Sequence, residues 1–417
     1  MKKTTLTKLL SLLMVAAMLF GTLSAALVLS ASSGLTLGAV PVEEEENSGY
    51  EDSDIIGYYR TVGEVKELMN LPIYTDYREE YADVPDGRGE VIINCATDYV
   101  ADQTTSNYEV LENFEGRSAL KMDDTGKTTF KVNIPHEGMY AIRIMYYPIE
   151  GYGTTMERMF YIDGHVPFSE ARYLYFPRQW AYELEEVVHE DGTVTYEFFT
   201  DVRGDELRPV RVAQSSWEDY FLRDWVGFEM DPFEFYFSKG EHTITLEAAR
   251  EPMCISQITL YPYVEEAPYE EVLAGWLAQG LTVQDDVEPI KVQAERPDTV
   301  SERIILPGTE RTSALTEPAS PVNLRFNVGG ASGCNQWVRY EVDVPKEGLY
   351  EIDVRFRQNT LIGMFTSRRV KINGEIQFRE ASNCRFVYDT PFQVTPLNNG
   401  ETNFLFYFKE GKNIVEF

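Results

Sequence analysis

The stretch FKVNIPHEGMYAIRIMY (residues 130–146) returns 210 residues later as YEVDVPKEGLYEIDVRF (residues 340–356). In both copies apolar and polar residues alternate on each side of a Pro…Gly connection. Such period-two alternation is typical of β-strands that bury one face. The pattern predicts an antiparallel hairpin in each copy, with a tight turn between its strands.

The correspondence continues downstream of the quoted stretch. Residues 162–164 (Ile-Asp-Gly) match residues 372–374 (Ile-Asn-Gly) at the same offset, and both pairs favour a tight turn. Further on, residues 235–240 match residues 406–411 at an offset of only 171. The first copy therefore contains 39 extra residues, an insertion that we place at about residues 182–230.

Short strands at turn spacing predict an all-β chain of two tandem jelly-roll β-sandwich modules. We place module 1 at residues 90–263 and module 2 at residues 289–417. Module 1 continues past Leu246 into a last strand, whereas module 2 stops at the equivalent Phe417. We therefore expect that module 2 is truncated before its last strand and that the chain is part of a longer protein.

Helices are expected only outside the modules. Residues 264–288 carry apolar side chains at helical spacing, and Gly280 is a candidate C-cap. We interpret this segment as a linker helix, with a partner-binding helix as the alternative. A short helix is also predicted over residues 62–69, ahead of Pro72.

The N-terminus has the pattern of a secretory signal. Three lysines lead into an apolar run and then small residues, so we assign residues 1–31 to a signal peptide. An uncleaved membrane anchor is the alternative, because the run is long enough to cross a bilayer. Residues 32–89 then form an acidic tether and the short helix. We expect a secreted or cell-surface protein, with membrane attachment only through an uncleaved signal segment.

Composition excludes several classes of function. The 417 residues carry 37 basic and 68 acidic side chains, a net charge of −31, which would repel nucleic acid and anionic membranes. Hydrophobic residues make up 43% of the chain and aromatic ones 13%, too many for disorder over most of it. The four histidines are isolated and no catalytic motif is recognisable, so we predict that the chain is not an enzyme.

Aromatic residues outside the strand alternation are the best candidates for ligand binding. Tyr and Trp rings can pack on the C–H face of a sugar, and Asn and Arg can bind its hydroxyls. The alternative is that the rings cap the sandwich. The predicted ligand-binding residues are Tyr147, Tyr152, Arg178, Trp180, Trp217, Tyr220, Trp225, Asn335, Asn383 and Tyr388.

The ordered motifs V-x-V-P-x-x-G-x-Y, I-[DN]-G and F-x-x-G resemble the galactose-binding-like jelly rolls of carbohydrate-binding modules. Residues 290–295 (Ile-Lys-Val-Gln-Ala-Glu) match the opening strand of such modules, whereas residues 91–96 depart from it. The resemblance implies a structural calcium ion, with Gln293 and Glu295 as ligands in module 2. In a jelly roll, Cys95 and Cys254 lie on neighbouring strands, so either a disulfide or two buried thiols would fit there, and Cys334 and Cys384 could pair likewise.

Tandem modules of this kind also resemble N-terminal extensions of sugar-uptake solute-binding proteins in Gram-positive bacteria. The resemblance implies non-catalytic binding of an extracellular polysaccharide or oligosaccharide within a sugar-capture or uptake system, beside a downstream domain of the same chain. Two alternatives remain: spacer modules that bind no sugar, and a glycoside-active enzyme built on the insertion.

Overall fold

The computed structural model describes residues 62–331 and 333–417. The predicted signal peptide and the acidic tether up to residue 61 lie outside the described residues. We call residues 90–263 the first repeat and residues 289–417 the second repeat. The described part of the chain is mostly β-structure.

Two helices precede the strands of the first repeat. They are α1 (Val62–Met69), at the predicted position, and α2 (Tyr74–Glu80). The strands are β1 (Val91–Asn94), β2 (Tyr108–Phe114), β3 (Arg117–Met122), β4 (Lys127–Ile134), β5 (Gly138–Pro148), β6 (Met156–Ile162), β7 (Leu174–Phe176), β8 (Gln179–Tyr182), β9 (Glu185–Val188), β10 (Val194–Glu197), β11 (Arg211–Gln214), β12 (Glu218–Phe221), β13 (Glu234–Phe237), β14 (Gly240–Arg250) and β15 (Met253–Tyr261).

Helix α3 (Tyr269–Ala278) precedes the second repeat, which contains fewer and shorter strands. Its strands are β16 (Thr299–Val300), β17 (Val338–Val344), β18 (Gly348–Glu351), β19 (Asp353–Phe356), β20 (Phe365–Arg368), β21 (Lys371–Ile372), β22 (Cys384–Val387), β23 (Gln393–Pro396), β24 (Leu405–Phe408) and β25 (Gly411–Glu416).

Two sheets face each other in the first repeat. One has the order β12-β5-β15-β3-β2, with β1 also paired to β15 and β13 to β5. The other has the order β4-β14-β6-β7. Phe130 and Phe160 from the smaller sheet and Tyr140 and Ile258 from the larger one are fully buried in one core, so the two sheets form a β-sandwich.

The predicted hairpin is wrong, although both of its strands exist. β4 pairs with β14 and β5 pairs with β15, so the Pro135–Gly138 connection crosses from one sheet to the other. The same holds in the second repeat, where β17 pairs with β25 and β18 with β24. Alternation shows that a strand buries one face, but strands that pair and strands that face each other across a core have the same alternation.

The two predicted tight turns are present. Asp163 and Gly164 have φ values of 51° and 83°, and Asn373 and Gly374 have 54° and 85°. Two successive positive φ values define the type I′ turn that Asp-Gly and Asn-Gly favour.

Helices α2 and α3 occupy equivalent places in the two repeats. The Tyr74 amide donates to Glu170, and its hydroxyl accepts from the Glu234 amide. The Tyr269 amide donates to Glu380, and its hydroxyl accepts from the Leu405 amide in the same way. Helix α3 therefore packs as the first element of the second repeat, where Val272, Leu273 and Trp276 contact the core and Leu277 is exposed.

One sheet extends across both repeats. Its order is β11-β8-β16-β17-β25-β21, and the crossing point is the pairing of Trp180 with Val300. A separate apolar core lies at this junction and includes Tyr182, Phe198 and Tyr340. The predicted insertion thus supplies the β9–β10 hairpin, β11 and β12, and its Phe198 packs against Phe326 of the second repeat.

The predicted opening strand at residues 290–295 is wrong, since the structure has no strand over these residues. In the first repeat the equivalent β1 pairs with β15. In the second repeat Thr299–Val300 is the only strand described between α3 and β17, and Ile290 and Val292 are exposed.

All four cysteines are free thiols, and Cys95, Cys254 and Cys384 are buried. Burial raises the pKa of Cys254 to about 12, so this thiol stays protonated at neutral pH. Within the described residues, no helix is both long and apolar enough to cross a membrane.

Candidate functional site

A cleft of about 300 Å³ lies where loops of the first repeat meet residues 301–304 of the second. The first repeat contributes residues 153–155 and the side chains of Glu157 and Arg250. It also contributes four of the cleft's larger side chains, Tyr175, Arg178, Trp180 and Trp225. Three of the predicted ligand-binding residues, Arg178, Trp180 and Trp225, are thus brought together here.

A buried ion pair fixes one wall of the cleft. Glu251, whose side chain is fully buried, accepts hydrogen bonds from Arg178 at 2.8 Å and from the Tyr152 and Thr154 amides at 2.9 and 2.8 Å. Arg178 also donates to the carbonyl oxygens of Ile149 and Thr154. Burial alone would raise the pKa of Glu251, but the hydrogen bonds from Thr154 and the charge of Arg178 lower it.

The backbone also contributes to this arrangement. Glu251 has a φ of 66°, a left-handed conformation that non-glycine residues adopt only when their surroundings hold them. A Cβ atom at Gly151 would collide with the Glu251 carboxylate. Glycine at position 151 therefore allows the loop to close over the ion pair.

A second loop presents the Trp225 ring. The Asp224 carboxylate accepts hydrogen bonds from the Val226 and Phe228 amides at 2.9 and 2.7 Å, which closes the loop on itself. The Asn335 side chain of the second repeat donates to the Asp224 and Trp225 carbonyl oxygens at 2.8 and 2.7 Å. Asn335 therefore holds the Trp225 loop and does not itself line the cleft.

Two half-exposed rings and several charged groups face the cleft. The Tyr175 and Trp225 rings lie 5.1 Å apart between centroids at 33°. Arg250 pairs with Glu157 at 3.2 Å, and the Arg303 guanidinium lies 5.0 Å from the centre of the Trp180 ring. The arrangement offers an apolar ring surface beside hydrogen-bond donors and acceptors of both charges.

Trp180 itself is not available as a stacking platform. It is 6% exposed and belongs to the apolar core between the repeats, below Arg303. Tyr220, another predicted ligand contact, packs its ring against Tyr146 and Phe176 at the edge of the first core. For Trp180 and Tyr220, packing in the apolar cores explains where the ring lies, in line with the alternative that the rings cap the sandwich.

The remaining predicted residues do not line the cleft. Tyr147 and Trp217 form an aromatic cluster with Phe114, and the Trp217 ring donates to the Glu115 carbonyl. Tyr152 is 81% exposed and next to Gly153 at the rim of the cleft. Two second-repeat residues do not line the cleft, exposed Asn383 and half-buried Tyr388.

Four lining residues are absent from the predicted ligand-binding residues: Tyr175 and Arg250 of the first repeat, and Glu302 and Arg303 of the second. Tyr175 was recognisable as an aromatic residue outside the long alternating strands. No sequence feature pointed to Arg250. Glu302 and Arg303 could not be selected, because nothing in the sequence indicates that residues 301–304 pack beside the loops of the first repeat.

Calcium binding by Gln293 and Glu295 has no further acidic side chain grouped beside it in the part of the chain that the structure describes. Calcium takes six to eight oxygen ligands, whereas residues 62–331 and 333–417 contain no group of three His, Cys, Asp or Glu side chains suited to a metal. Glu295 is 2% exposed, and its Oε1 has no hydrogen-bond partner. Burial raises the pKa of this carboxyl to about 7.

Glu295 is expected to make stability depend on pH. The folded state keeps the Glu295 proton up to about pH 7, whereas the unfolded chain releases it near 4.5, so stability falls as the pH rises between these values. One pKa unit corresponds to about 1.4 kcal/mol, so the full effect is about 3 kcal/mol. Urea unfolding of Glu295→Gln from pH 4.5 to 8 should lack this decline.

The exposed Glu288→Gln variant is the control, and it should follow the wild type at every pH. A decline of the same size in Glu295→Gln would contradict the assignment. Calcium binding stays a prediction: a calcium-dependent rise in Tm that Glu295→Gln abolishes would support it.

No protein-family model matches the chain, and no curated protein matches it. A family 35 carbohydrate-binding module from Clostridium thermocellum is similar to 42% of this chain over 100% of its own length, at 13% identity and a TM-score of 0.25. One from Cellvibrio japonicus is similar to 42% of this chain over 95% of its own, at 8% identity and a TM-score of 0.24.

A third similar structure is a β-(1,4)-mannanase of Podospora anserina that carries a family 35 module. It matches 46% of this chain at 14% identity and a TM-score of 0.22, and the match spans 35% of the mannanase. Because all three TM-scores lie below 0.5, these likenesses assign no function to this chain.

Proposed function

We propose that this chain binds carbohydrate without breaking bonds, and that the cleft between the two repeats is the binding site. The observation that carries the proposal is the Tyr175–Trp225 ring pair, half-exposed beside Glu157, Arg250, Glu302 and Arg303. A pyranose ring has an apolar C–H face and polar hydroxyls at its edge, so it matches both kinds of surface at once.

Each part of the cleft would have a separate role in binding. The Trp225 ring would stack on a sugar face, and the neighbouring Tyr175 would extend the platform. Glu157 and Glu302 would accept hydrogen bonds from hydroxyls, and Arg250 and Arg303 would donate to hydroxyl or ring oxygens. At about 300 Å³ the cleft is at the small end of ligand pockets, which suits one end or a short part of a glycan.

Charge favours an uncharged saccharide. Arg178 is neutralised by Glu251 behind the wall, and the four other charged residues of the cleft, Glu157, Arg250, Glu302 and Arg303, sum to zero. The whole chain carries a net charge of −31, which disfavours an anionic polymer through repulsion.

The wider context is also proposed. The chain would be a tandem of two jelly-roll modules, secreted or held at the cell surface of a Gram-positive-like bacterium and serving sugar capture or uptake. The match of the two repeats in strand order and in their leading helices supports the tandem arrangement.

Trp225→Ala is expected to weaken binding to the tightest neutral glycan found on an array by tenfold or more, because the stacking face is lost. A tenfold change corresponds to about 1.4 kcal/mol, within the range for a buried aromatic contact. Titration calorimetry measures the change, and Trp225→Phe should recover part of the affinity.

Trp217→Ala is the matched control, since Trp217 is also a half-buried tryptophan but lies outside the cleft. It should bind like the wild type. Equal loss in both variants, or no binding to any glycan by the folded protein, would contradict the proposal.

A structural role without ligand is the second candidate. It is favoured by Trp180, which is buried in the core between the repeats instead of facing a ligand. That role predicts that Trp225→Ala lowers Tm and changes no binding signal.

A further inference from the structure

Three basic side chains come together at the junction of the two repeats, outside the candidate cleft. Arg223 follows β12 of the first repeat, whereas Arg369 precedes β21 of the second and Lys371 begins it. Both arginines contact one loop of the first repeat, because Arg369 donates to the Met230 carbonyl oxygen and the backbone of Arg223 is bridged to Pro232. We call Arg223, Arg369 and Lys371 the basic cluster.

The three positive charges of the basic cluster are close enough to affect one another. Burial and the charge of Arg223 lower the pKa of Arg369 to about 10. Burial also lowers the pKa of Lys371, and the charges of both arginines lower it further, although Glu416 acts in the opposite direction. Like charges have this effect when water screens them only in part. The whole chain carries a net charge of −31, so this concentration of positive charge is local.

The members of the basic cluster differ in their partners. Lys371 pairs with Glu416 at 2.7 Å. Neither Arg223 nor Arg369 forms an ion pair with a carboxylate among the residues that the structure describes, and the Nε atom of each is buried without a hydrogen-bond partner. Apart from the bond from Arg369 to Met230, the two guanidinium groups donate no hydrogen bond there. Leaving buried donors unpaired costs free energy, so an acceptor at this place would stabilise the protein.

The acidic side chains near Arg369 do not fill this role. Asp231 and Glu266 favour the charged form of Arg369 through their negative charges, but neither donates or accepts a hydrogen bond with it. The Asp231 carboxylate instead accepts the Tyr263 hydroxyl at 3.0 Å. The surroundings therefore supply charge at a distance and one carbonyl oxygen, and the other guanidinium donors stay open to a bound acceptor.

We propose that Arg223 and Arg369 together bind one small inorganic oxyanion, sulfate or phosphate, at the junction of the repeats. The planar fork of N–H donors on a guanidinium group matches two oxygens of such an ion. A small ion suits the place better than a charged polymer, because both arginines are half-buried and the net charge of −31 repels a polyanion. Since each repeat supplies one arginine, the ion would hold the two repeats together.

The full chain is titrated calorimetrically with sodium sulfate and, in a second series, with sodium phosphate. Sodium chloride keeps the ionic strength constant in both series. We expect saturable binding of one ion per chain and a rise in Tm of about 2 °C or more at saturation, because a ligand that binds only the folded state stabilises it. The two series distinguish which oxyanion the site prefers, and chloride alone should give neither effect.

Arg223→Met is the informative variant, because the Arg223 side chain donates no hydrogen bond in the described part of the chain and its loss should leave the fold intact. It should weaken oxyanion binding by about tenfold or more. Without oxyanion its Tm should equal or exceed that of the wild type, since the repulsion from Arg369 and Lys371 is gone. Arg223→Lys keeps the charge but loses the fork of donors, and it should lose part of the affinity.

Arg385→Met is the matched control. Arg385 is also half-buried with an Nε atom that lacks a partner, but it lies outside the basic cluster. This variant should bind the oxyanion within about threefold of the wild type.

Four results would overturn the proposal. They are the absence of saturable binding of both ions by the wild type, equal binding by Arg223→Met, an equal loss in Arg385→Met, and a rise in Tm that chloride reproduces at the same ionic strength. The last result would assign the stabilisation to general screening of charge by salt.

Discussion

Arg178→Met is expected to lower the free energy of unfolding by about 3–5 kcal/mol and to abolish most glycan binding. The substitution leaves the buried Glu251 carboxylate without its cation, and removing one member of a buried ion pair costs about this much. It also removes the donors that hold the Ile149 and Thr154 carbonyls, so the wall of the cleft loses its anchor. Urea unfolding and calorimetric titration measure the two effects.

Arg250→Met provides the control within the same cleft. Arg250 is exposed and its pair with Glu157 is a rim contact, so stability should fall by less than about 1 kcal/mol. Adding Glu251→Gln to Arg178→Met should recover part of the lost stability, because the uncompensated charge is gone. Equal destabilisation by the Arg178 and Arg250 variants would contradict this account.

Arg339→Met is expected to destabilise the junction of the repeats by about 3 kcal/mol or more. Arg339 forms two hydrogen bonds with Glu218 of the first repeat, at 2.9 and 2.8 Å, and one with Glu416 of β25 at 2.7 Å. Without it, Glu218 loses its cation in a mostly buried position. Chemical unfolding measures the loss.

Lys412→Met is the control, since Lys412 pairs with Glu341 on the same two strands but is exposed, and it should change stability little. Acid should weaken the junction as well. Burial alone would raise the pKa of Glu416, but Lys371 and Arg339 outweigh it and hold the pKa at about 2. This stabilisation is complete above about pH 4.5 and is lost as the pH falls toward 2, a decline that Glu416→Gln should lack.

Much of the β-structure could be predicted from residue patterns alone. The alternation at residues 130–146 correctly indicated two strands that bury one face, and the Asp-Gly and Asn-Gly pairs correctly indicated turns. Strand partners could not be predicted, because β4 and β5 would show the same alternation whether they paired or lay on opposite sides of a core.

Helix α3 shows a related limit. Its apolar spacing indicated a helix, but its equivalence to α2 depends on Tyr74 and Tyr269. Their hydroxyls accept hydrogen bonds from backbone amides that lie 160 and 136 residues away in sequence. Only a comparison of the residues that precede each repeat could have suggested it.

Only some of the residues that line the candidate site could be predicted from the sequence. Trp225 and Arg178 were found because aromatic and arginine residues outside the strand alternation need a reason to be there. Arg303 and Glu302 were missed, because their position depends on how the second repeat packs against the insertion. Trp180 lies in the core between the repeats, a position that the sequence could not reveal, since a tryptophan at a junction between two repeats looks the same in sequence as one in an open loop.

The sheet that crosses from the insertion into the second repeat has a consequence for the thermodynamics of binding. Both walls of the cleft are ordered by the strand pairing at Trp180 and Val300 and by the apolar core beneath it. The conformational entropy of these walls is therefore lost during folding and not when a ligand arrives. A cleft that is preorganised in this way can hold a small, weakly interacting ligand that could not order two independently moving domains.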